Sequence, residues 1–201
     1  MNVSTDKIIR IQQGDIISDV EYIEYADVED GVVKISKIRF PHVIVLSQEC
    51  DLTWDYESRD RQRKNQQEGN QDKFLFTVIV APLYNYQQFL NGEHLSELGL
   101  TMRKLPSQKK KTENKYLRNN EIPRYHFLDF PNDVSIVDSV VDFKHYFTVN
   151  ITRLEVHKET HFVCSLPTLF RERIAQRFAN YLTRIGLPDV KQPDDLSATQ
   201  S

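Results

Sequence analysis

The chain has 201 residues, of which 39% are hydrophobic and 27% are charged, and its formal net charge at pH 7 is -3. This composition is typical of a globular protein and excludes a disordered chain, and the length predicts one domain. The negative net charge excludes a generally basic protein that coats DNA, so any binding of nucleic acid must use a local patch.

The sequence contains no apolar run near the ~18 residues that a transmembrane helix needs. Residues 1–7 lack the charged and apolar regions of a signal peptide. The two cysteines, Cys50 and Cys164, are too few for a secreted disulfide scaffold. We therefore expect a cytoplasmic protein with no membrane partner.

Apolar alternation and turn signals predict an N-terminal hairpin that is followed by a central strand. The hairpin strands are predicted at residues 16–25 and 32–38. Residues 43–46 (Val-Ile-Val-Leu) then form a short continuous apolar run, which is typical of a strand buried on both faces. The run ends in a polar cluster that holds Cys50 beside Asp51, and loops on a rigid scaffold often carry functional residues.

Polar and basic segments separate this region from the later strands. Residues 53–71 contain few apolar side chains and predict an exposed loop or a short solvated helix. Residues 74–81 predict a second core strand that Pro82 closes, and residues 84–90 predict a helical turn. Residues 101–120 are the most basic part of the chain. Further strands are predicted at residues 125–128, 135–143, 147–151, 153–156 and 161–166.

The last predicted element is an amphipathic helix at about residues 168–185. Its apolar residues recur with the period of one helix face and are Phe170, Ile174, Phe178, Tyr181 and Ile185. Ser165 or Thr168 is the predicted N-cap, and Gly186 and Pro188 stop the helix. We expect one domain at 1–188 and a polar, flexible tail at 189–201.

Several segments resemble, in order, the MazF/PemK (Kid/CcdB-like) toxins. The matching segments are Gly14-Asp15-Ile16, Phe40-Pro41 with residues 43–47, residues 76–81, Asp138-Ser139-Val140, Phe147-Thr148-Val149 and Arg153-Leu154. The resemblance implies a mainly β fold with α-helices: an SH3-like barrel, here with insertions at about 53–72 and 84–122, and the C-terminal helix. It also implies metal-independent cleavage of single-stranded RNA, a toxin–antitoxin or phage-defence setting, and pairing of barrels that allows a homodimer.

The chain is also similar to bacterial proteins of unassigned activity. Those proteins carry an early Ser-Gln-x-Cys-Asp-Leu segment and an Arg-x-Gly-Leu-Pro ending, which here are residues 47–52 and 184–188. This second resemblance implies a bacterial origin.

The sequence departs from the toxin family at both catalytic positions. Phe40 stands where the family has arginine before the proline, and Arg39 is one residue earlier, on the opposite face of a strand. Pro82 and Leu83 occupy the region of the catalytic threonine or serine. The leading hypothesis is therefore a barrel that acts as a binding module for RNA, for another single-stranded nucleic acid, or for a protein encoded nearby.

Two catalytic alternatives remain open. One is a divergent metal-independent endoribonuclease that uses Arg39, Cys50, Asp51 and His145. The other is a cysteine- or metal-dependent enzyme centred on Cys50, although Cys50 and Asp51 have no ligand at a short metal-binding spacing, so no metal or cofactor is predicted. A structural interpretation competes with both, in which Cys50 is a buried small residue and Asp51 caps the loop.

Basic residues in two regions are the candidate contacts for nucleic acid. They are Arg103, Lys104, Lys109, Lys110, Lys111, Lys115 and Arg118 in the basic stretch, and Arg173 and Arg177 on the last helix. The alternative is a solvated lysine-rich loop and a salt-bridged helix rim.

Overall fold

The fold is mainly β, and the described part of the chain has seven antiparallel strands in one open sheet together with five α-helices. The computed structural model describes residues 1–64, 71–105 and 111–184, with only the backbone at 111–113. The strands are β1 (Asp15–Glu29), β2 (Val32–Val45), β3 (Thr77–Asn85), β4 (Tyr125–Leu128), β5 (Ser139–Asp142), β6 (Phe147–Asn150) and β7 (Phe162–Ser165). The helices are α1 (Glu49–Arg63), α2 (Tyr86–Asn91), α3 (Lys111–Arg118), α4 (Ile151–His161) and α5 (Thr168–Leu182).

The strand order is β4-β5-β3-β2-β1-β7, and β6 also pairs with β3. The predicted central strand is confirmed, because Val43, Ile44 and Val45 are fully buried between β1 and β3. The separation of this strand from the hairpin is wrong: both belong to the single long strand β2, which continues through Pro41. The sheet is not closed, so the predicted SH3-like barrel is not confirmed.

Two apolar cores lie on opposite faces of this sheet. Val43 and Val45 belong to one cluster and Ile44 to the other, as the alternation of side chains along a strand requires. Helix α4 contributes Ile151 and Leu154 to the first core, and α5 contributes Ile174 and Phe178 to the second. Within the described residues, no helix is both long and apolar enough to cross a membrane.

The prediction of a strand at residues 153–156 is wrong, because these residues belong to α4. The Asn150 side chain accepts a hydrogen bond from the Arg153 backbone N–H at 3.0 Å and so caps the helix. Ile151, Leu154 and Lys158 are buried at helical spacing on one face. A short apolar run fits a strand and a helix equally well. Here the Asn150 cap and the helical spacing of the buried residues favour the helix.

Two other predicted boundaries need correction. Of the two alternatives for residues 53–71, the helix is the nearer one, since α1 covers residues 49–63, but this helix buries Leu52, Asp55 and Ser58 and so is not merely solvated. Pro82 does not close β3 but lies inside it, after the pairing with β6 ends at Val80 and before the pairing with β5 begins. A residue without an N–H is tolerated where a strand changes partners.

The C-terminal helix is confirmed as α5. Its N-cap is Pro167, without a side-chain hydrogen bond, so the capping roles predicted for Ser165 and Thr168 are wrong. Ile185, Gly186, Pro188 and the tail at 189–201 lie outside the described residues.

Candidate functional site

Cys50 is exposed in the first turn of α1, so its interpretation as a buried residue is wrong. Leu52 faces the core from this helix, and a position two residues away points about 200° around the axis. The Cys50 Sγ atom lies 3.7 Å from Gln48 Oε1 and 3.7 Å from Asp51 Oδ1. Neither neighbour supplies the positive charge that activates a thiol, so an enzyme centred on Cys50 has no support in these contacts.

The residues around Cys50 serve mainly to join parts of the fold. The Ser47 hydroxyl oxygen accepts a hydrogen bond from the Ile79 backbone N–H at 2.8 Å, which ties the end of β2 to β3. The Glu49 carboxylate accepts one from the Gln13 backbone N–H at 2.8 Å and pairs with Arg10 at 2.6 Å. Asp51 is half-buried and does not cap α1.

His145 belongs to a separate, partly buried polar network. Its Nδ1 atom lies 2.9 Å from the Tyr84 hydroxyl and 3.7 Å from Asp142 Oδ2. Burial raises the pKa of Tyr84 and lowers the pKa of His145, so the hydroxyl donates to a neutral imidazole. Asp142 is held by two hydrogen bonds from Arg124, at 2.5 and 2.8 Å. The contacts of His145 therefore do not join it to Arg39.

Arg39 lines a different surface depression, which we call the cationic cleft and which has a volume of about 330 Å³. The charged and imidazole side chains that line it are Asp19 and Glu21 from β1, Arg39 from β2, and Arg153, His157 and His161 from α4. Lys37 shares a β2 face with Arg39, since alternate residues of a strand point the same way. The three α4 residues are four apart and share one helix face.

Three cations converge on the Glu21 carboxylate in this cleft. Lys37 Nζ lies 2.6 Å from Oε1, Arg39 lies 3.3 Å from the same oxygen, and Arg153 lies 3.2 Å from Oε2. The hydrogen bond from Lys37, above all, lowers the pKa of Glu21 and keeps it ionised. The Arg39 and Arg153 side chains remain 64% and 62% exposed. Glu21 thus shares three cations, and even with the Asp19 carboxylate that also lines the cleft the cations remain in excess.

Two imidazoles stand beside these cations. The His157 and His161 rings are stacked, with centroids 3.9 Å apart, and His157 Nε2 lies 2.8 Å from the Ser18 carbonyl oxygen. A carbonyl oxygen only accepts, so His157 donates this hydrogen bond from Nε2. Asp19 is also unusual: its φ of 55° lies in the left-handed region, and such strained positions cluster at functional sites.

A second depression, the apolar groove, adjoins the cationic cleft and has a volume of about 300 Å³. Arg39 lines both. The apolar side chains of the groove include Ile38, Phe40, Leu83, Leu95, Leu98 and Val137, and its hydrogen-bonding side chains include Asn85, Gln88, His94 and Ser96. Burial lowers the pKa of His94 to about 4, so this imidazole is neutral at pH 7.

Several predicted nucleic-acid contacts are engaged in holding the fold. Arg177 donates to the carbonyl oxygens of Ile122 and Tyr125 at 2.9 Å each. The Arg118 guanidinium lies 5.3 Å from the Tyr86 ring centroid and 5.1 Å from that of Phe127.

The other basic candidates vary in what surrounds them. Arg103, Lys104 and Lys115 are exposed, and the Arg173 guanidinium lies 6.0 Å from the Phe170 ring. Lys109, Lys110 and the side chain of Lys111 lie outside the described residues.

The cationic cleft contains residues that the sequence-based prediction missed, although a signal was present. Arg153, His157 and His161 form an Arg-x-x-x-His-x-x-x-His pattern, which places three polar groups together only on a helix. The strand predicted at residues 153–156 hides this signal, because a strand does not bring residues four apart into contact. The described residues contain no group of three or more potential metal ligands, so the histidine pair does not define a metal centre.

Comparison of the sequence with protein-family models and with curated proteins gives no match. The likeness to the MazF/PemK toxins therefore stays a prediction.

Proposed function

We propose that the protein binds single-stranded nucleic acid, RNA in the first place, across the cationic cleft and the apolar groove. The observation that carries the proposal is the position of Arg39, which lines both depressions. A backbone phosphate would lie between Arg39 and Arg153, and a base would enter the groove.

The chemistry of the two depressions supports a single strand. Phosphate oxygens are strong acceptors for guanidinium groups, and the excess of positive charge around Glu21 favours an anionic ligand. An apolar groove with amide and hydroxyl groups suits an unpaired base, which can bury its ring and use its hydrogen-bonding edge. Bases in a duplex are stacked and paired, so they are not free to enter such a groove.

We further propose that the open sheet is an elaborated form of the SH3-like barrel, working in a cytoplasmic, bacterial toxin–antitoxin or phage-defence setting. Supporting this, the family-like segments begin β1, fill the inner half of β2, and form much of β3 and β6 in the family's order. The family-like Arg153-Leu154 segment starts α4 rather than a strand, which is one departure from that pattern.

We expect Arg39→Gln and Arg153→Gln each to weaken binding of a labelled single-stranded RNA pool by about tenfold or more, as loss of a charge-assisted hydrogen bond implies. Fluorescence anisotropy at several salt concentrations measures the effect. Each variant should also reduce the slope of log affinity against log salt concentration by about one, which is the contribution of one lost phosphate contact.

Arg61→Gln is the matched control for these variants. Arg61 is an exposed arginine on α1 that pairs with Glu57 at 3.6 Å and does not line the cleft. Its replacement should leave RNA affinity unchanged. The proposal fails if the wild-type chain shows no salt-dependent RNA binding, or if Arg61→Gln weakens binding as much as Arg39→Gln does.

A divergent metal-independent endoribonuclease is the second candidate, because His157 lies in the same cleft as Arg39 and Arg153. Such cleavage needs a base for the 2′-hydroxyl and a cation for the developing phosphorane charge. Incubation of the bound RNA in EDTA tests for cleavage. This candidate is established if the RNA is cleaved and His157→Ala abolishes cleavage while RNA binding persists. If the RNA stays intact, the protein binds RNA without cleaving it.

A further inference from the structure

A third cavity, with a volume of about 410 Å³, is lined by residues of α2, of the segment that follows α2, of β4 and of β5. It shares no residue with the cationic cleft and only His94 with the apolar groove. Its volume lies within the range of small-molecule sites in proteins. The chemistry of its lining therefore indicates what kind of small molecule it could hold.

One wall of the cavity is the segment that carries Met102 and Leu105, and backbone contacts with the end of α2 hold it in place. The Met102 N–H donates to the Gly92 carbonyl oxygen at 3.0 Å, and the Leu105 N–H donates to the Leu90 carbonyl oxygen at 2.9 Å. Gly92 has a φ of 71°, and a Cβ there would lie 2.3 Å from the Met102 carbonyl oxygen. Only glycine allows this close approach, so the cavity is preformed.

The body of the cavity is apolar and partly aromatic. The Phe89 and Tyr125 rings meet edge to face, with centroids 5.0 Å apart. The half-buried side chains of Met102, Leu105 and Ile122 complete this part of the lining. Aromatic rings and thioether groups both make favourable contacts with a further aromatic ring. This part of the cavity therefore suits a flat aromatic ring system.

The polar part of the cavity has an excess of one positive charge. Arg124 donates two hydrogen bonds to the Asp142 carboxylate, at 2.5 and 2.8 Å, so these two charges compensate each other. His94 is neutral at pH 7 because burial lowers its pKa to about 4. The remaining charge is that of Arg103, whose guanidinium forms no hydrogen bond or ion pair with another described residue.

The two guanidinium groups lie near the same phenol. Burial raises the pKa of Tyr125, and the charges of Arg124 and Arg103 oppose this rise. The Arg103 charge therefore acts inside the aromatic part of the cavity, although its side chain is exposed. A ligand whose ring packs against Tyr125 would have its substituents within reach of a cation.

We propose that this cavity binds a flat aromatic monoanion of the aromatic carboxylate class. The ring system lies in the apolar part, against Phe89 and Tyr125, and the carboxylate accepts hydrogen bonds from Arg103. Charge-assisted hydrogen bonds between guanidinium and carboxylate are among the strong ones in proteins, and the fork of the guanidinium matches the two carboxylate oxygens. This binding does not depend on the proposed binding of nucleic acid.

Other small molecules fit the cavity less well. A cation is repelled by the excess positive charge, and a neutral ring leaves Arg103 without a counter-charge. A molecule with several negative charges exceeds the single charge that the cavity can compensate. A saturated ring fills the same space but lacks the aromatic contacts with Phe89 and Tyr125.

Isothermal titration calorimetry of the full chain with 2-naphthoate tests the proposal, and we expect a Kd below about 1 mM. The neutral analogue 2-naphthamide has the same rings and should bind about tenfold more weakly or worse, because it cannot form the charge-assisted pair. The saturated analogue decahydro-2-naphthoate keeps the charge and should bind about threefold more weakly or worse.

Arg103→Gln locates the site, with Lys104→Gln as the matched control. Both side chains are exposed, but Lys104 does not line the cavity. Arg103→Gln should weaken 2-naphthoate binding by about tenfold and leave 2-naphthamide binding unchanged. Lys104→Gln should leave the binding of both compounds unchanged. Circular dichroism melting verifies that each variant is folded.

Three results would each overturn the inference. The first is the absence of 2-naphthoate binding up to about 10 mM. The second is equal affinity for 2-naphthoate and 2-naphthamide, or an equal effect of Arg103→Gln and Lys104→Gln. The third is loss of 2-naphthoate binding in Arg39→Gln but not in Arg103→Gln, since the compound would then occupy the apolar groove.

Discussion

Replacement of Lys158 by methionine is expected to lower the free energy of unfolding by about 3–5 kcal/mol, the cost of removing one partner from a buried ion pair. The Lys158 side chain is 1% exposed and that of Asp15 is fully buried, with Nζ and Oδ2 2.6 Å apart. Lys158 also donates to the Arg10 carbonyl oxygen at 2.6 Å. Methionine has a side chain of similar shape, but it leaves the Arg10 carbonyl oxygen and Asp15 Oδ2 without the ammonium group that they bind.

The loss is large because Asp15 joins several parts of the fold. Its carboxylate also accepts hydrogen bonds from the Gln12 backbone N–H at 2.8 Å and from the Ser165 hydroxyl. Burial raises the pKa of Asp15, and Lys158 opposes this rise. Without Lys158 the folded protein would favour the protonated carboxyl, so the deficit of the variant should shrink as the pH falls.

Urea unfolding of Lys158→Met and of the double variant Lys158→Met/Asp15→Asn checks this expectation. The double variant removes the uncompensated charge and should recover part of the loss. Lys115→Met, at an exposed position on α3, is the matched control and should change the free energy of unfolding by less than about 0.5 kcal/mol. Equal effects of Lys158→Met and Lys115→Met would contradict a stabilising role for the buried pair.

The Gly14-Asp15 step shows what local sequence signals can and cannot predict. A turn that feeds a strand was predicted there correctly, because a glycine at positive φ is a local property; Gly14 has a φ of 80°. A Cβ at this position would also lie 2.9 Å from Arg171 Cβ, a contact with α5 that no local pattern reveals. The partner of Asp15 on α4 is 143 residues away in sequence, so its buried pairing could not be predicted either.

The candidate site was accessible to sequence reasoning only in part. Arg39 is predicted from its place two residues before Pro41, which is a local feature. Its neighbours Glu21 and Arg153 come from β1 and α4, and the second was hidden by the assignment of residues 153–156 to a strand. The burial predicted for Cys50 is wrong because burial at the start of a helix depends on which face turns to the core, and Leu52 sets that face here.

The stability of the protein is expected to fall steeply below pH 6 because of His126. This side chain is 1% exposed and its Nδ1 atom has no hydrogen-bond partner. Burial, reinforced by Arg177 and Arg173, lowers its pKa from 6.5 to about 3. The unfolded chain therefore binds a proton between pH 6.5 and about 3 that the folded chain does not bind. The stabilisation is complete above pH 6.5 and is lost as the pH falls through this window, at up to about 1.4 kcal/mol per pH unit.

His126→Phe isolates this contribution, because it keeps a ring against Phe143, whose centroid is 6.3 Å from that of His126, and removes the titrating group. Urea unfolding at a series of pH values should show a slope for this variant that is smaller by about one proton between pH 5.5 and 4. His94→Phe is the graded comparison: the pKa of His94 falls only to about 4, so its replacement should change the slope above pH 4 and not below. A slope in His126→Phe equal to that of the wild type would show that His126 is not the group whose protonation drives acid unfolding.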